Sequence, residues 1–177
     1  AAGNVYTLGT ISNQAIIQGD TFTNQWGGKD LFLIKYNSQG TLIWGKVFGS
    51  TLSDDGMDIT VDASGHIYVS AFIQGTTIMS DTTYTPSGNS QVIQFDSSSA
   101  FLRYHSETSH ILIDVIDNDL FMAYHATVEK RDTAMNILWS RTASSNIMTF
   151  SNYGPQGGPG SLYVAHNGHL VVSGREN

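Results

Sequence analysis

This 177-residue chain contains no cysteine, little proline and few charged residues. Without cysteine, neither a disulfide framework nor a thiolate metal site can form. The 15 acidic and 8 basic residues give a net charge of -7, which disfavours nucleic acid and anionic membranes because phosphate binding needs a cationic stripe. No apolar run approaches the roughly 18 residues that span a bilayer, so we expect no membrane insertion.

The residues that are abundant are small and polar, alongside an apolar content of 40% that includes 11% aromatics. This balance is typical of a folded, β-rich chain with many polar turns. The chain does not begin with methionine and has no basic segment followed by an apolar stretch. We therefore interpret it as a mature or excised segment.

One short phrase recurs four times along the chain. Its copies begin at Gly3, Gly65, Asn118 and Gly168 and read GNVYTLG, GHIYVSA, NDLFMAY and GHLVVSG. A repeat at intervals of about 50 to 60 residues predicts stacked supersecondary units such as propeller blades. The repeat therefore indicates the fold more directly than it indicates the function.

Each unit is predicted to contain four strands, A to D, in chain order. The predicted strands are A at 58–62, B at 65–72, C at 30–36 and 90–95, and D at 42–48. Apolar runs separated by the turn residues 37–40 predict a hairpin between C and D. Trp44 and Trp139 occupy matching places and are predicted to pack between neighbouring units.

The segments DLFLIKYNSQGTLIW from Asp30 to Trp44 and DGMDITVDASGHIYV from Asp55 to Val69, with Phe48-Gly49 between them, resemble a known repeat. They are similar to the repeat of the bacterial seven-bladed β-propeller repeat proteins. The resemblance is strong over residues 1–98 and weaker beyond them. It implies a radial array of four-stranded sheets in a secreted or cell-surface protein, and it supplies no catalytic residue.

We therefore predict an all-β chain that forms one segment of a β-propeller with four-stranded meander blades. Its predicted parts are a partial blade at 1–48, full blades at 55–105 and 109–142, and a partial blade at 160–177. These parts make about three and a quarter blades, whereas propellers close with four to eight. The ring is predicted to be incomplete, so other copies or the remainder of a longer propeller would cover its open ends.

Long loops are predicted on one face of the propeller, where contact with a ligand is expected. The insertion at 143–160 holds Phe150 and Tyr153 in a Gly-Pro frame and is the leading candidate. Trp26 and Tyr84, in the two long loops between B and C strands, are further candidates. Simple decoration of the blades is the alternative interpretation of those two loops.

Acidic and histidine clusters give only weak chemical signals. Asp54 and Asp55 are the weak candidates for a calcium site, because acidic residues further along an extended strand lie too far away to share an ion. His105 and His110 flank Glu107 across a short D-A connection, which allows a His-Glu-His site, and an exposed loop is the alternative. The chain has no nucleophile elbow and no phosphate loop, so neither catalytic residues nor a cofactor are predicted.

The sequence predicts a non-catalytic, extracellular propeller module for adhesion or for recognition of a protein or glycan. One alternative is a structural subunit that assembles through open blade edges. Another is a part of a secreted enzyme. The expected location is outside the cell, in secreted form or on the cell surface.

Overall fold

The computed structural model describes residues 3–109, 111–142, 148–149, 161–164, 170–173 and 175–176. All regular structure in these residues is β-strand, so the prediction of an all-β chain is confirmed. The described residues contain no helix that could span a membrane. The strands are β1 (Val5–Ile11), β2 (Gln14–Ile17), β3 (Asp20–Thr23), β4 (Asp30–Tyr36), β5 (Leu42–Phe48), β6 (Asp55–Val61), β7 (Ile67–Phe72), β8 (Thr77–Ile78), β9 (Thr83–Tyr84), β10 (Ser90–Phe95), β11 (Phe101–Glu107), β12 (Leu112–Ile116), β13 (Asp119–Tyr124), β14 (Thr127–Arg131), β15 (Ile137–Thr142), β16 (Met148–Thr149), β17 (Ser161–Val164), β18 (Leu170–Ser173) and β19 (Arg175–Glu176).

Three antiparallel sheets contain most of the long strands. The first sheet has the order β1-β4-β5, the second β6-β7-β10-β11 and the third β12-β13-β14-β15. Because strands adjacent in a sheet follow one another along the chain, apart from short hairpins between them, each sheet is a meander. β17 and β18 pair as a two-stranded sheet, as do β16 and β19. Ring closure, blade number and unit boundaries stay predictions.

The three sheets have the same strand pairing at their two outer strands, including one shift in register at the same place. The pairing of the two outer strands shifts once in each sheet, directly after Lys35, Gln94 and Lys130. The turns that follow, at 37–40, 96–99 and 132–135, also share one hydrogen bond, from the amide of the fourth residue to the carbonyl of the first. Equivalent residues can therefore be compared from sheet to sheet.

Apolar side chains pack the sheets face to face. Between the first and second sheets the Phe48 and Phe95 rings lie 5.4 Å apart, within a fully buried cluster. Other members of that cluster are Leu31, Leu33, Ile67, Val69 and Ile93. A second cluster, with Val92 and Met122 among its members, joins the second sheet to the third. Burial on both faces explains the near-continuous apolar strands.

Two short hairpins, β2-β3 and β8-β9, fill the long loops that connect β1 to β4 and β7 to β10. Phe22 of the first hairpin lies directly over Gly45 of β5, where a Cβ atom would collide with its ring. Tyr84 of the second hairpin stacks on Tyr104, the residue of β11 equivalent to Gly45, at 4.0 Å between ring centroids. Each hairpin therefore packs against the outer strand of its own sheet.

A lysine in the first sheet is hydrogen-bonded to the turn of the second. Lys35 is 9% exposed, and its ammonium donates to the Ser97 carbonyl at 2.9 Å. The ammonium lies 5.4 Å from the Tyr6 ring and 6.0 Å from the Trp44 ring. The Trp44 indole donates to the same carbonyl at 3.2 Å. These contacts join β4 and β5 of the first sheet to the turn of the second sheet. They add to the apolar core that lies between the same two sheets.

Replacing Lys35 with Met should destabilise the protein by about 1.5 to 3 kcal/mol, because a buried hydrogen bond to a charged group is lost. The matched control is Lys130→Met, since Lys130 pairs with half-exposed Asp119 at 2.8 Å, and an exposed pair contributes at most about 1 kcal/mol. Urea denaturation of dilute protein measures both changes. Equal losses in the two variants would show that the contact with Ser97 contributes little.

Candidate functional site

The predicted contact residues fall into two groups. Phe150 and Tyr153 lie outside the described residues. Trp26 is half-buried in the loop between β3 and β4, where its backbone N-H donates to the Asp30 carboxylate at 3.1 Å. Tyr84 stacks on Tyr104, and its hydroxyl donates to the Gln91 side chain at 2.9 Å. The position of Tyr84 is that of a packing residue, and its role in ligand contact stays a prediction.

Asp54 is fully buried at the end of the loop between β5 and β6. Its carboxylate accepts hydrogen bonds from the Ser50 amide and hydroxyl, at 2.5 and 2.8 Å. Asp30 is also fully buried, and its Oδ1 atom has no hydrogen-bond partner. A Cβ at Gly49 would lie within 2.8 Å of both carboxylates, so Asp30 and Asp54 both border the space that this glycine leaves open.

The acidic pair found in the structure differs from the pair suggested as a calcium site. Asp55 opens β6, and the carboxylate that lies near Asp54 is that of Asp30, the first residue of β4. No group of three His, Cys, Asp or Glu residues within the described chain is placed to hold a metal ion. Burial raises the pKa of Asp54 despite its bonds to Ser50, and the charge of Asp30 adds to the rise.

The raised pKa of Asp54 predicts a pH-dependent stability. An acid whose pKa is higher in the folded state stabilises the fold when protonated, and this stabilisation is lost as pH rises through the folded pKa. As pH rises from about 4 to about 7, wild type should lose this stabilisation, whereas Asp54→Asn has no carboxyl group to titrate. The stability of Asp54→Asn should therefore rise relative to that of wild type over this range. Thermal denaturation across this range measures the difference.

Asp81→Asn is a control in which the stability difference from wild type should change with pH in the opposite direction. Burial acts to raise the pKa of Asp81, but the hydrogen bond and charge of Lys46 outweigh it and lower that pKa. This variant should therefore lose stability relative to wild type as pH rises. Parallel curves for wild type and Asp54→Asn would contradict the assignment to Asp54.

His105 and Glu107 both lie within β11, whereas the sequence predicted that Glu107 lies in the connection after the strand. His105 Nε2 and Glu107 Oε1 are 3.0 Å apart, while His110 lies outside the described residues. Facing them from β14 are Glu129 and Arg131, both buried, with the guanidinium donating twice to one carboxylate oxygen at 2.8 and 2.5 Å. The four side chains form a charge cluster between two sheets.

Burial lowers the pKa of His105 and the charge of Arg131 lowers it further, against the opposing effect of Glu107. The hydroxyl of the neighbouring Tyr124 has a raised pKa, first because of burial and then because of Glu129. A third bond from Arg131 reaches the Met135 carbonyl at 2.9 Å. These bonds lie within the third sheet, and the charges of Arg131 and Glu129 act on His105 of β11 across the space between the sheets.

Arg131→Met should destabilise the protein by about 3 to 5 kcal/mol, because Glu129 would be left buried without its partner. Replacing both residues, as Glu129→Gln with Arg131→Met, should recover much of this loss. Denaturant midpoints of the two variants and wild type give the comparison. A double variant as unstable as Arg131→Met alone would exclude the unpaired carboxylate as the cause.

A polar groove of about 350 Å³ runs beside β5, the outer strand of the first sheet. Its lining includes Thr21, Phe22, Thr23, Gln25, Lys46 and Ser99. The Phe22 ring is half-exposed, and the threonines and Gln25 are exposed. The groove thus combines an aromatic ring with hydroxyl and amide groups, the two kinds of surface that a polar ligand with a flat apolar face requires.

Lys46 supplies the positive charge of the groove and is itself paired. Its ammonium contacts Asp81 at 3.1 Å and donates to the Ser99 carbonyl at 3.0 Å. The ammonium also lies 5.4 Å from the Phe95 ring. An ammonium has three N-H donors, and the two protein oxygens use two of them. Asp81 offsets the charge, which makes the groove polar without a strong net sign.

None of these groove residues was predicted from the sequence. The available signal was Gly45, which stands where the second and third sheets carry Tyr104 and Ser140. A glycine that departs from a repeat marks a place where another group approaches the backbone. Only the structure shows that this group is Phe22.

The described chain belongs to the class of all-β proteins built from stacked antiparallel sheets. No family model and no curated protein matches it. Among solved structures it is similar to BamB from Moraxella catarrhalis, at 10% identity and a TM-score of 0.35. The match covers 75% of this chain and 57% of BamB, so the chain spans less than two thirds of that protein. This likeness assigns neither an activity nor a partner.

Proposed function

We propose that this chain is a non-catalytic β-propeller module that recognises a neutral glycan outside the cell. The observation that carries the proposal is the groove beside β5, with Phe22 on one side and hydroxyl and amide groups around it. The propeller assignment and the extracellular location rest on the repeat and on its resemblance to secreted and surface proteins. The aromatic ring and polar groups of the groove are the basis for proposing a glycan as the ligand.

The chemistry of the groove suits a saccharide. A pyranose ring presents a flat C-H face that packs on an aromatic ring, and hydroxyls at its rim that both donate and accept hydrogen bonds. Phe22 supports the first contact, while Thr23, Gln25 and Ser99 offer donors and acceptors for the second. The volume of about 350 Å³ falls within the range of small-molecule sites.

Charge favours a neutral over an acidic saccharide. Lys46 is already paired with Asp81 at 3.1 Å. The chain as a whole carries a net charge of -7, which opposes the approach of an anionic ligand. A sialylated or sulfated chain would therefore gain little from the single ammonium in the groove.

A glycan array followed by calorimetric titration with the best neutral oligosaccharide tests the proposal. Phe22→Ala should weaken binding about tenfold or more, because the stacking surface is removed. The matched control is Ile16→Ser on the same hairpin, since Ile16 is 70% exposed and lies outside the groove lining. This control should bind as wild type does.

Three results would overturn the glycan proposal. One is the absence of binding to any neutral saccharide. Another is equal loss of affinity in the Phe22 and Ile16 variants. The third is preferential binding of an extended peptide along the free edge of β5, which would assign the groove to strand addition.

A further inference from the structure

The ion pair of the groove joins residues that differ in exposure. Lys46 lies on β5 of the first sheet, and its side chain is 8% exposed. Asp81 lies in the loop between β8 and β9, the hairpin that packs on the second sheet, and its side chain is 48% exposed. Lys46 and Ser80, the residue before Asp81, both line the groove. The negative member of the pair therefore faces solvent at the edge of the groove, while the positive member lies in its wall.

The loop that carries Asp81 is held in place by hydrogen bonds other than the ion pair. Gly49, which directly follows β5, and Ile78 of β8 exchange two backbone hydrogen bonds, at 3.1 and 2.6 Å. The Met79 amide donates to the Thr82 carbonyl at 2.9 Å, which closes the turn that contains Asp81. The hairpin should therefore keep its place beside β5 when only the charge of Asp81 is removed.

The interface between the second and third sheets holds a comparable pair that is enclosed. Ser99 and Met135 are the fourth residues of equivalent turns, and both have a positive φ, of 75° and 61°. The Ser99 carbonyl accepts from Lys46 at 3.0 Å, and the Met135 carbonyl accepts from Arg131 at 2.9 Å. The anion paired with Arg131 is Glu129, which is buried within the third sheet. Of these two pairs, only the one at the groove has its anion where a ligand from solvent can take its place.

We propose that Asp81 determines the charge selectivity of the groove, because its carboxylate takes the place beside Lys46 that an acidic saccharide would need. The inference rests on the proposed function, since it assigns to the glycan site the residue that excludes uronic acids. A saccharide carboxylate that approaches the Lys46 ammonium meets the like charge of Asp81. Specificity of this kind comes from a repulsive element set against the wrong ligand.

Removal of the Asp81 charge should make the groove prefer an acidic saccharide. The Lys46 ammonium would still contact the Ser99 carbonyl at 3.0 Å and lie 5.4 Å from the Phe95 ring. It would lose the one carboxylate that it contacts within the described residues. A ligand carboxylate could then form a charge-assisted hydrogen bond with the ammonium, which is stronger than the bond that a neutral hydroxyl forms.

Two oligosaccharides that differ in one group test the selectivity. The first is the neutral oligosaccharide that wild type binds best, and the second is the same compound with one primary alcohol replaced by a carboxylate. Calorimetric titration measures both affinities, and wild type should prefer the neutral compound. Asp81→Asn should shift the ratio of the two affinities about tenfold or more toward the acidic compound. High salt should reduce this shift, because it screens the charge of the ammonium.

Two further variants separate the charge of Asp81 from its place in the turn. Asp81→Glu keeps a carboxylate on the same turn and should keep the wild-type ratio of affinities. Lys46→Met combined with Asp81→Asn should abolish the gain for the acidic compound, because the ammonium that attracts it is absent. An unchanged ratio in Asp81→Asn, or an equal gain in Asp81→Glu, would overturn the assignment to Asp81.

Inorganic sulfate tests the role of Asp81 without any saccharide. At constant ionic strength, an NMR titration of Asp81→Asn with sulfate should shift the backbone amides of Gly45, Lys46 and Ser99, and wild type should show much smaller shifts. Such shifts in a protein that binds no neutral saccharide would refute the glycan function but not the role of Asp81. Neutral saccharide binding without any effect of Asp81→Asn on sulfate or on the affinity ratio would refute the role of Asp81 alone.

Discussion

The buried hydrogen bond from Lys35 to the Ser97 carbonyl is the constraint on which the relation between the first two sheets depends. Apolar burial is not directional, so it fixes the relative position of two sheets less closely than a hydrogen bond does. A lysine held between Tyr6 and Trp44, with one carbonyl as its acceptor, fixes the outer ends of the sheets. Gln94 makes the corresponding bond to Thr133 in the next interface. One of these turns, at 96–99, also lines the groove through Ser99.

The groove beside β5 is a consequence of the same alignment. The turn at 96–99 accepts hydrogen bonds from two lysines of the first sheet. Lys35 donates to the Ser97 carbonyl, and Lys46 donates to the Ser99 carbonyl. Phe22 reaches the groove from the other side, since Gly45 leaves space for its ring. The groove is thus bounded by two successive sheets and by both hairpins, so its shape depends on how the sheets are stacked.

Much of the fold was predictable because its signals are local. The apolar runs of β4, β7 and β10 and the turns between β4 and β5 and between β10 and β11 each depend on residues only a few positions apart. The candidate site was far less predictable. Tyr84 was a reasonable contact candidate as an aromatic residue in a long loop, yet its ring stacks on Tyr104. Phe22 is also an aromatic residue in a long loop, but its place beside the groove depends on its contact with Gly45, which lies on another strand.

The sequence by itself determined an all-β chain, the approximate strands of each unit and the turns that join them. Side-chain alternation and turn chemistry are properties of short segments, so they can be recognised without knowing which strands are neighbours in the fold. Only the tertiary structure decided that Asp30 is buried beside Asp54 and that His105 faces Arg131. Such pairs join different strands or sheets. The physical reason is that burial and charge pairing depend on distance in space, which the order of residues leaves open.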